Sequence, residues 1–356
     1  MNTLSTKHLI FLISGIGITS LNTYSSLYIR YGGRDTWIAM VIASVIAALL
    51  SFFMVFSMKR SGIYNFREIY YRAYGKKLGS FLLLLYALML LLTSIESAAV
   101  EASAIKTNIF METPLWYLLL FFIVPAIYPL KKGYIAIFIA SILTVIFLYF
   151  SEAIIAVMTE QYKHYSNLLP IAAKGFTPEL LKSTLQILGL YGSIFIIFPY
   201  IKDIKDKKKL KHHFLWGVII VAVVSIVNII GLLAIFGPYR AGNIFYPKLL
   251  QSQRIYFGGF IEFGELFMIL QIVSNLLIKY ILAFYSIILL YKNFFDRNKY
   301  FYYIISIIIF VGAYFVSKNN IAFLNFLTLY SYISLIGYII IPFITFTLIL
   351  LKKHNN

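Results

Sequence analysis

Residues 12–20 read Leu-Ile-Ser-Gly-Ile-Gly-Ile-Thr-Ser, two glycines and three hydroxyls set inside the first long apolar run. A helix crossing hydrocarbon keeps its backbone hydrogen bonds internal, because the bilayer offers no replacement partners. Glycines lower the cost of opening such a helix, and hydroxyls or a ligand can satisfy the groups set free. A second stretch of this kind, Gly189-Leu-Tyr191-Gly192-Ser193, follows roughly half a chain later. Two interrupted apolar segments at matching places in two halves are the sequence mark of a binding site in secondary transporters.

The surroundings of both stretches are apolar. Of 356 residues, 61% are hydrophobic and 12% charged, and the mean hydropathy is +0.86. Runs of the ~20 residues that cross a bilayer recur along the chain. The expectation is an all-α polytopic membrane protein, one transmembrane domain over residues 1–356. Its ten spans fall near 8–29, 36–58, 79–105, 115–130, 134–157, 178–201, 214–236, 262–291, 300–316 and 322–351. The first run lacks a small-residue cleavage site and reads as a retained helix. With no cysteine there is no disulfide framework, thiolate chemistry or cysteine zinc site.

A net charge of +18 suggests nucleic acid in a soluble chain, but no basic soluble domain exists here to hold it. The cations report topology instead. Of 31 Lys and Arg, ten fall in loops on the far side, among them Lys163 and Lys248, and Lys279 lies within a span. The remaining twenty share the side of the amino terminus, which puts both termini in the cytoplasm. Residues 202–211, Lys-Asp-Ile-Lys-Asp-Lys-Lys-Lys-Leu-Lys, are the strongest part of that signal. Residues 65–77 mix Phe66, Ile69, Tyr70 and Tyr74 with Arg and Lys, as a helix lying on the cytoplasmic interface does, and Gly75 and Gly79 end it. Asp35 and Thr36, Thr113-Pro114 and Thr177-Pro178 are cap signals for the second, fourth and sixth helices. Spans one to five and six to ten form two halves, about 8–157 and 178–351. Each opens on an interrupted helix, and an odd number of spans per half inverts one against the other.

At such a paired break, free N–H groups suit a carboxylate and free carbonyls suit an ammonium. The candidate ligand-binding residues are Gly15, Gly17, Thr19, Gly189, Tyr191, Gly192 and Ser193. The competing reading is that small residues simply let helices approach closely. Intramembrane ionisable groups form a second set: Glu96 mid-way along the third span, Glu101 nearer its rim, Lys279 in the eighth and Glu265 near that span's outer end. Depth pairs Glu96 with Lys279, either as a lock on packing or as a part of ligand sensing or proton coupling. Glu101, close to the rim, reads as solvated. His8, His164, His212, His213 and His354 are scattered without metal-binding spacing. There is no phosphate-cradling loop and no nucleophile elbow, so no enzyme, metal or cofactor is expected.

Several short blocks in sequence order suggest a family: residues 33–37 (Gly-Arg-Asp-Thr-Trp), 113–116 (Thr-Pro-Leu-Trp), Lys132-Gly133, 167–170 (Asn-Leu-Leu-Pro), 198–200 (Phe-Pro-Tyr), 236–238 (Phe-Gly-Pro) and Tyr246-Pro247, with Lys279 in the eighth span. Together they resemble the spore germination permease (GerB) family from the first helix through the eighth. The resemblance implies the amino acid, polyamine and organocation transporter superfamily, with five-plus-five inverted repeats and unwound first and sixth helices. It further implies the B subunit of a nutrient germinant receptor in the spore inner membrane, with A and C subunits as partners and a small nutrient, commonly an amino acid, as signal. One departure is that residues 186–200 hold no carboxylate, where relatives can carry one beside the sixth-helix break. The readings that follow are a receptor subunit, a proton-coupled amino acid permease working through Glu96 or Glu101, and a structural partner whose ligand sits elsewhere.

Overall fold

The computed structural model describes residues 5–173, 175–255, 263–298 and 300–354. The side chain of Glu265 lies outside what is described. α1 covers His8–Asn22 and, after a turn at residues 23–25, α2 covers Ser26–Gly32. A 3-10 turn, Gly33–Asp35, leads to α3 (Thr36–Ser61), followed by α4 (Phe66–Asn108), α5 (Leu115–Lys132) and α6 (Tyr134–Met158). Two short 3-10 turns, Glu160–Tyr162 and Tyr165–Leu168, precede α7 (Pro178–Tyr191), which passes directly into a 3-10 run over Gly192–Asp203. Then come α8 (Leu210–Asn243), the short α9 (Pro247–Ser252), α10 (Phe263–Leu290), the short α11 (Lys292–Arg297) and α12 (Phe301–Ser317). The last span is α13 (Asn320–Ser334), a π-helical stretch Leu335–Ile340 and α14 (Ile341–His354).

Among the described residues, eight helical runs are long and apolar enough to cross a membrane; His8–Asn22 and Phe301–Ser317 are apolar but shorter. At ~1.5 Å per residue α1 spans about 23 Å, short of a ~30 Å hydrocarbon core. The chain is thus an all-α, multi-span membrane protein. Its centre is the continuous α7 and 3-10 segment, whose apolar window is 94% buried, against 28% for α6. α10 packs along α4, and α1 along α8 and α6. Lipid-facing positions are large and apolar, as at Phe121, Val124, Leu143 and Val223.

Start and stop signals explain several boundaries. Thr177 accepts a hydrogen bond from Leu180 N (3.2 Å) with Pro178 at the first helical position, and Asn65 caps α4 through Arg67 N (3.2 Å). Gly62 closes α3 in the left-handed conformation. At Gly75 (φ 79°) the interfacial helix breaks from the membrane-crossing part of α4. Gly79, in contrast, stays helical; a methyl there would meet Tyr70 O at 2.8 Å. Two of the three expected caps differ. The Asp35 carboxylate accepts from Ala172 N (2.9 Å) and so ties down a distant loop, and Pro114 precedes α5 with no side-chain cap. The π-helical stretch lies just ahead of Pro342, which has no N–H to return to the preceding turn.

Gly237 breaks α8 at φ 70°, ψ 162°, a region open essentially to glycine alone. An added methyl would meet nothing closer than 3.9 Å, so Gly237→Ala tests backbone strain with little packing change. It is expected to cost about 1–3 kcal/mol, read as a lower Tm of the detergent-solubilised chain; an unchanged Tm would contradict the strained break.

Candidate functional site

The helix runs unbroken through Gly15 and Gly17, and the interruption comes later, at residues 23–25. The hydroxyls bridge no opening here. Ser14 donates to Ile10 O (2.6 Å), Thr19 to Gly15 O (2.7 Å) and Ser20 to Ile16 O (2.8 Å), each back onto its own helix. The glycines serve close packing: a methyl on Gly15 would stand 2.7 Å from Val145 Cγ2, and one on Gly17 2.7 Å from Val221 Cγ2. At the turn itself, Tyr28 supplies the replacement donor. Its hydroxyl bonds Leu21 O at 2.6 Å.

The second stretch also keeps its backbone bonds. α7 continues through Gly189 to Tyr191, and at Gly192 the pitch tightens to 3-10 for 12 residues. Runs beyond three or four residues are uncommon, because 3-10 geometry is the poorer hydrogen-bonding arrangement. Here neighbouring helices supply bonds to the run. Tyr86 on α4 donates to Phe195 O (2.7 Å), and Ser286 on α10 donates to Ile196 O (2.8 Å). Ser334 donates to Gly189 O (2.7 Å), and the Tyr191 and Ser44 hydroxyls lie 2.6 Å apart. Of the seven candidate residues, Ser193 joins the two stretches directly. Its hydroxyl is 2.8 Å from Ser20 Oγ on α1. Thr19 lies on the wall of a small polar chamber, whereas Gly189 and Gly192 face α13 and the π-helical stretch.

The intramembrane charges form a buried network. Lys279 Nζ lies 2.7 Å from Glu96 Oε2, and neither side chain has any exposure. The contact is a buried ion pair at hydrogen-bonding distance. Glu96 accepts from the Tyr24 hydroxyl (2.8 Å), which belongs to the turn between α1 and α2, and from Ser97 (3.2 Å). Lys279 also sits 5.7 Å from the Tyr330 ring centre. Tyr330 and Tyr338 share the Thr93 hydroxyl at 3.1 and 2.8 Å. The network therefore reaches from the α1–α2 turn to the π-helical stretch. Glu101, expected to be solvated at the rim, is instead buried, and its Oε2 has no hydrogen-bond partner among the described residues. α4 continues past it to Asn108, and Tyr246 from the α8–α9 connection bonds Val100 O beside it (3.4 Å).

A second buried ion pair was not anticipated. Lys248 on α9 pairs with Glu152 on α6, and Gln271 on α10 donates to the same Glu152 oxygen (2.8 Å). Glu152 falls within the fifth expected span and so carried the usual signal of an intramembrane ionisable group. Lys248 gave none, because a lysine beside a proline in a connection reads as solvated. Two cavities complete the picture. An open cleft of about 620 Å³ lies where α2, α7 and α8 end, bordered by Arg30, Arg34, Asp35, Glu179 and Tyr239. The chamber beside Thr19, about 10 Å³, lies among Asn22, Glu152, Lys248, Gln271 and Asn275.

The sequence profile of the spore germination protein family matches residues 3–322. The chain belongs to the spore germination permease family. It is similar to spore germination protein XB of Bacillus anthracis, with 25% identity over 281 residues, 78% of this chain and 77% of that protein. Membership makes this permease homologue a membrane receptor or permease, not an enzyme. Among its described residues no group of three His, Cys, Asp or Glu side chains could hold a metal ion.

Proposed function

We propose that this spore germination permease homologue is the B-type subunit of a nutrient germinant receptor, working with A and C subunits in the spore inner membrane. It binds a small nutrient, an amino acid, where the first and sixth spans meet. Gly15, Gly17, Thr19, Gly189, Tyr191, Gly192 and Ser193 belong to the two segments whose movement opens that junction for the ligand, and Glu96, Glu101 and Lys279 respond to it. The observation that carries the reading is the 2.8 Å contact between Ser20 and Ser193. It ties the α1 side of the turn at residues 23–25 to the 3-10 run, so a ligand that parts the two segments must break this bond. Both halves, 8–157 and 178–351, would then be inverted repeats of one transmembrane domain, and the excess of Lys and Arg on the amino-terminal side supports cytoplasmic termini.

A ligand shifts such a junction only by its differential affinity for two conformations. The second reading, a proton-coupled amino acid permease, draws on buried Glu96 and Glu101. Vesicles reconstituted with the protein and given radiolabelled amino acids separate the two. The receptor reading expects binding without accumulation, and accumulation driven by a proton gradient would overturn it in favour of the permease.

A further inference from the structure

The chamber between α1, α6, α9 and α10 holds a set of groups that the packing of the bundle leaves unexplained. Asn22 is 4% exposed, and both its Nδ2 and its Oδ1 lack a hydrogen-bond partner among the described residues. The same is true of Gln271 Oε1 and Asn275 Oδ1, on side chains 5% and 4% exposed. Each orphaned buried polar atom destabilises by about 1–3 kcal/mol, and four around one chamber call for a common cause. Beside them lie one ammonium, Lys248, and one carboxylate, Glu152, paired with each other.

We propose that this chamber is where a small zwitterionic solute is held, its carboxylate on Lys248 and its ammonium on Glu152, the two groups that neutralise each other in the described conformation. The proposal rests on the receptor reading above but places the solute in this chamber, which borders the first span and not the sixth. A bare cation entering the chamber meets Lys248, and a bare anion meets Glu152; only a solute carrying both charges finds a partner for each. The amides are equally two-sided, since Asn22 offers a donor and an acceptor while Gln271 and Asn275 offer acceptors. About 10 Å³ admits a single water-sized probe. Entry therefore requires the Lys248–Glu152 pair to part, and the solute replaces each half of the pair with a charge of its own. That exchange leaves the number of buried charge contacts undiminished, which keeps the opening affordable in a low-dielectric interior.

The position of the chamber supplies the consequence. Thr19, Asn22 and Thr23 form its α1 wall, and the next residue, Tyr24, holds Glu96 of the central network. A solute that pushes α9 from α6 or takes up Asn22 thus acts one residue from the turn that anchors the Glu96–Lys279 pair.

The test uses the purified full-length chain, thermal denaturation in detergent, and a panel of common amino acids. Alongside them go the corresponding amines without carboxylate and acids without amine. At least one amino acid is expected to raise the Tm while its singly charged counterparts do not. Asn22→Leu removes two orphaned atoms at nearly constant volume, so the empty variant should be as stable as the parent or more so. Its apparent affinity should nevertheless fall more than about tenfold, as should that of Lys248→Met. A shift retained at parental affinity in both variants overturns the chamber as the site and leaves the receptor reading standing. The absence of any shift in the parent chain, while spores carrying it germinate with an amino acid, overturns the chamber likewise. Spores that respond to no amino acid contradict the receptor reading itself. Phosphoethanolamine carries the same charge pair as a lipid head group; stabilisation by it and by no amino acid would overturn the free solute.

Discussion

Gly189→Ala is expected to lose the fold at temperatures where the parent chain is intact. A methyl at this position would stand 1.9 Å from the carbonyl oxygen of Ser331 and 2.8 Å from its carbon. These are backbone atoms of α13, so no side chain can swing aside and the helix itself must retreat. Retreat stretches the Ser334 to Gly189 O bond and displaces Tyr330 from Lys279. Overpacking of side chains costs about 1–3 kcal/mol, and a rigid backbone obstacle belongs at or above the top of that range. Two controls calibrate the measurement. Gly192→Ala meets Ser334 and Tyr338 at 3.1 Å and should lose less, whereas Gly231→Ala meets only Lys163 Cε at 3.6 Å. In that last variant the helix propensity of alanine should leave Tm unchanged or raised. Equal Tm values for all three would discard the close α7–α13 approach.

The second large effect concerns the central ion pair. Glu96→Gln and Lys279→Met each leave one charge at a site with no exposure, a loss of about 3–5 kcal/mol when a buried pair is broken from one side. Glutamine still accepts from Tyr24, so the first variant isolates the charge from the hydrogen bond to the α1–α2 turn. The double variant leaves no stranded charge and should be milder than the sum of the singles by more than about 1 kcal/mol. Strict additivity in Tm-derived stabilities would remove the energetic coupling that the 2.7 Å contact implies.

How far the sequence reaches into this structure depends on whether a signal is local. Apolar runs locate the helices because span length is dictated by the bilayer, and Thr177-Pro178 marks the start of α7 because a cap is made within four residues. Gly75 marks a break for a similar reason. Depth along two helices suffices to bring Glu96 toward Lys279. The break in the first span misled for a physical reason: Ser14, Thr19 and Ser20 have the composition of an opened helix, but their hydroxyls return to their own backbone. Whether a hydroxyl faces its own helix or a ligand is a rotamer choice, invisible in composition. Glu101 misled because rim position was equated with exposure, although α4 extends beyond it. The Lys248–Glu152 pair joins residues 96 positions apart, through a connection whose fold back into the bundle leaves no periodic trace. The candidate binding residues from both stretches stand as a proposal.

The 3-10 run over Gly192–Asp203 also stores length. Its 12 residues span about 24 Å at ~2.0 Å per residue and would span about 18 Å as α-helix at ~1.5 Å. Rewinding it would draw Asp203 inward by about 6 Å and turn it by about 240°, since each residue advances ~100° in an α-helix and ~120° in a 3-10 helix. Asp203 is held by the Tyr134 hydroxyl at the start of α6, so such a stroke must first release that bond. Distances between spin labels at the exposed positions 182 and 205, taken with and without amino acid, read the stroke directly while leaving Asp203 in place; an unchanged separation would rule it out. In mechanical terms the sixth span is a screw with a catch at its basic end, and the lysine-rich loop beyond Asp203 is the part it would pull.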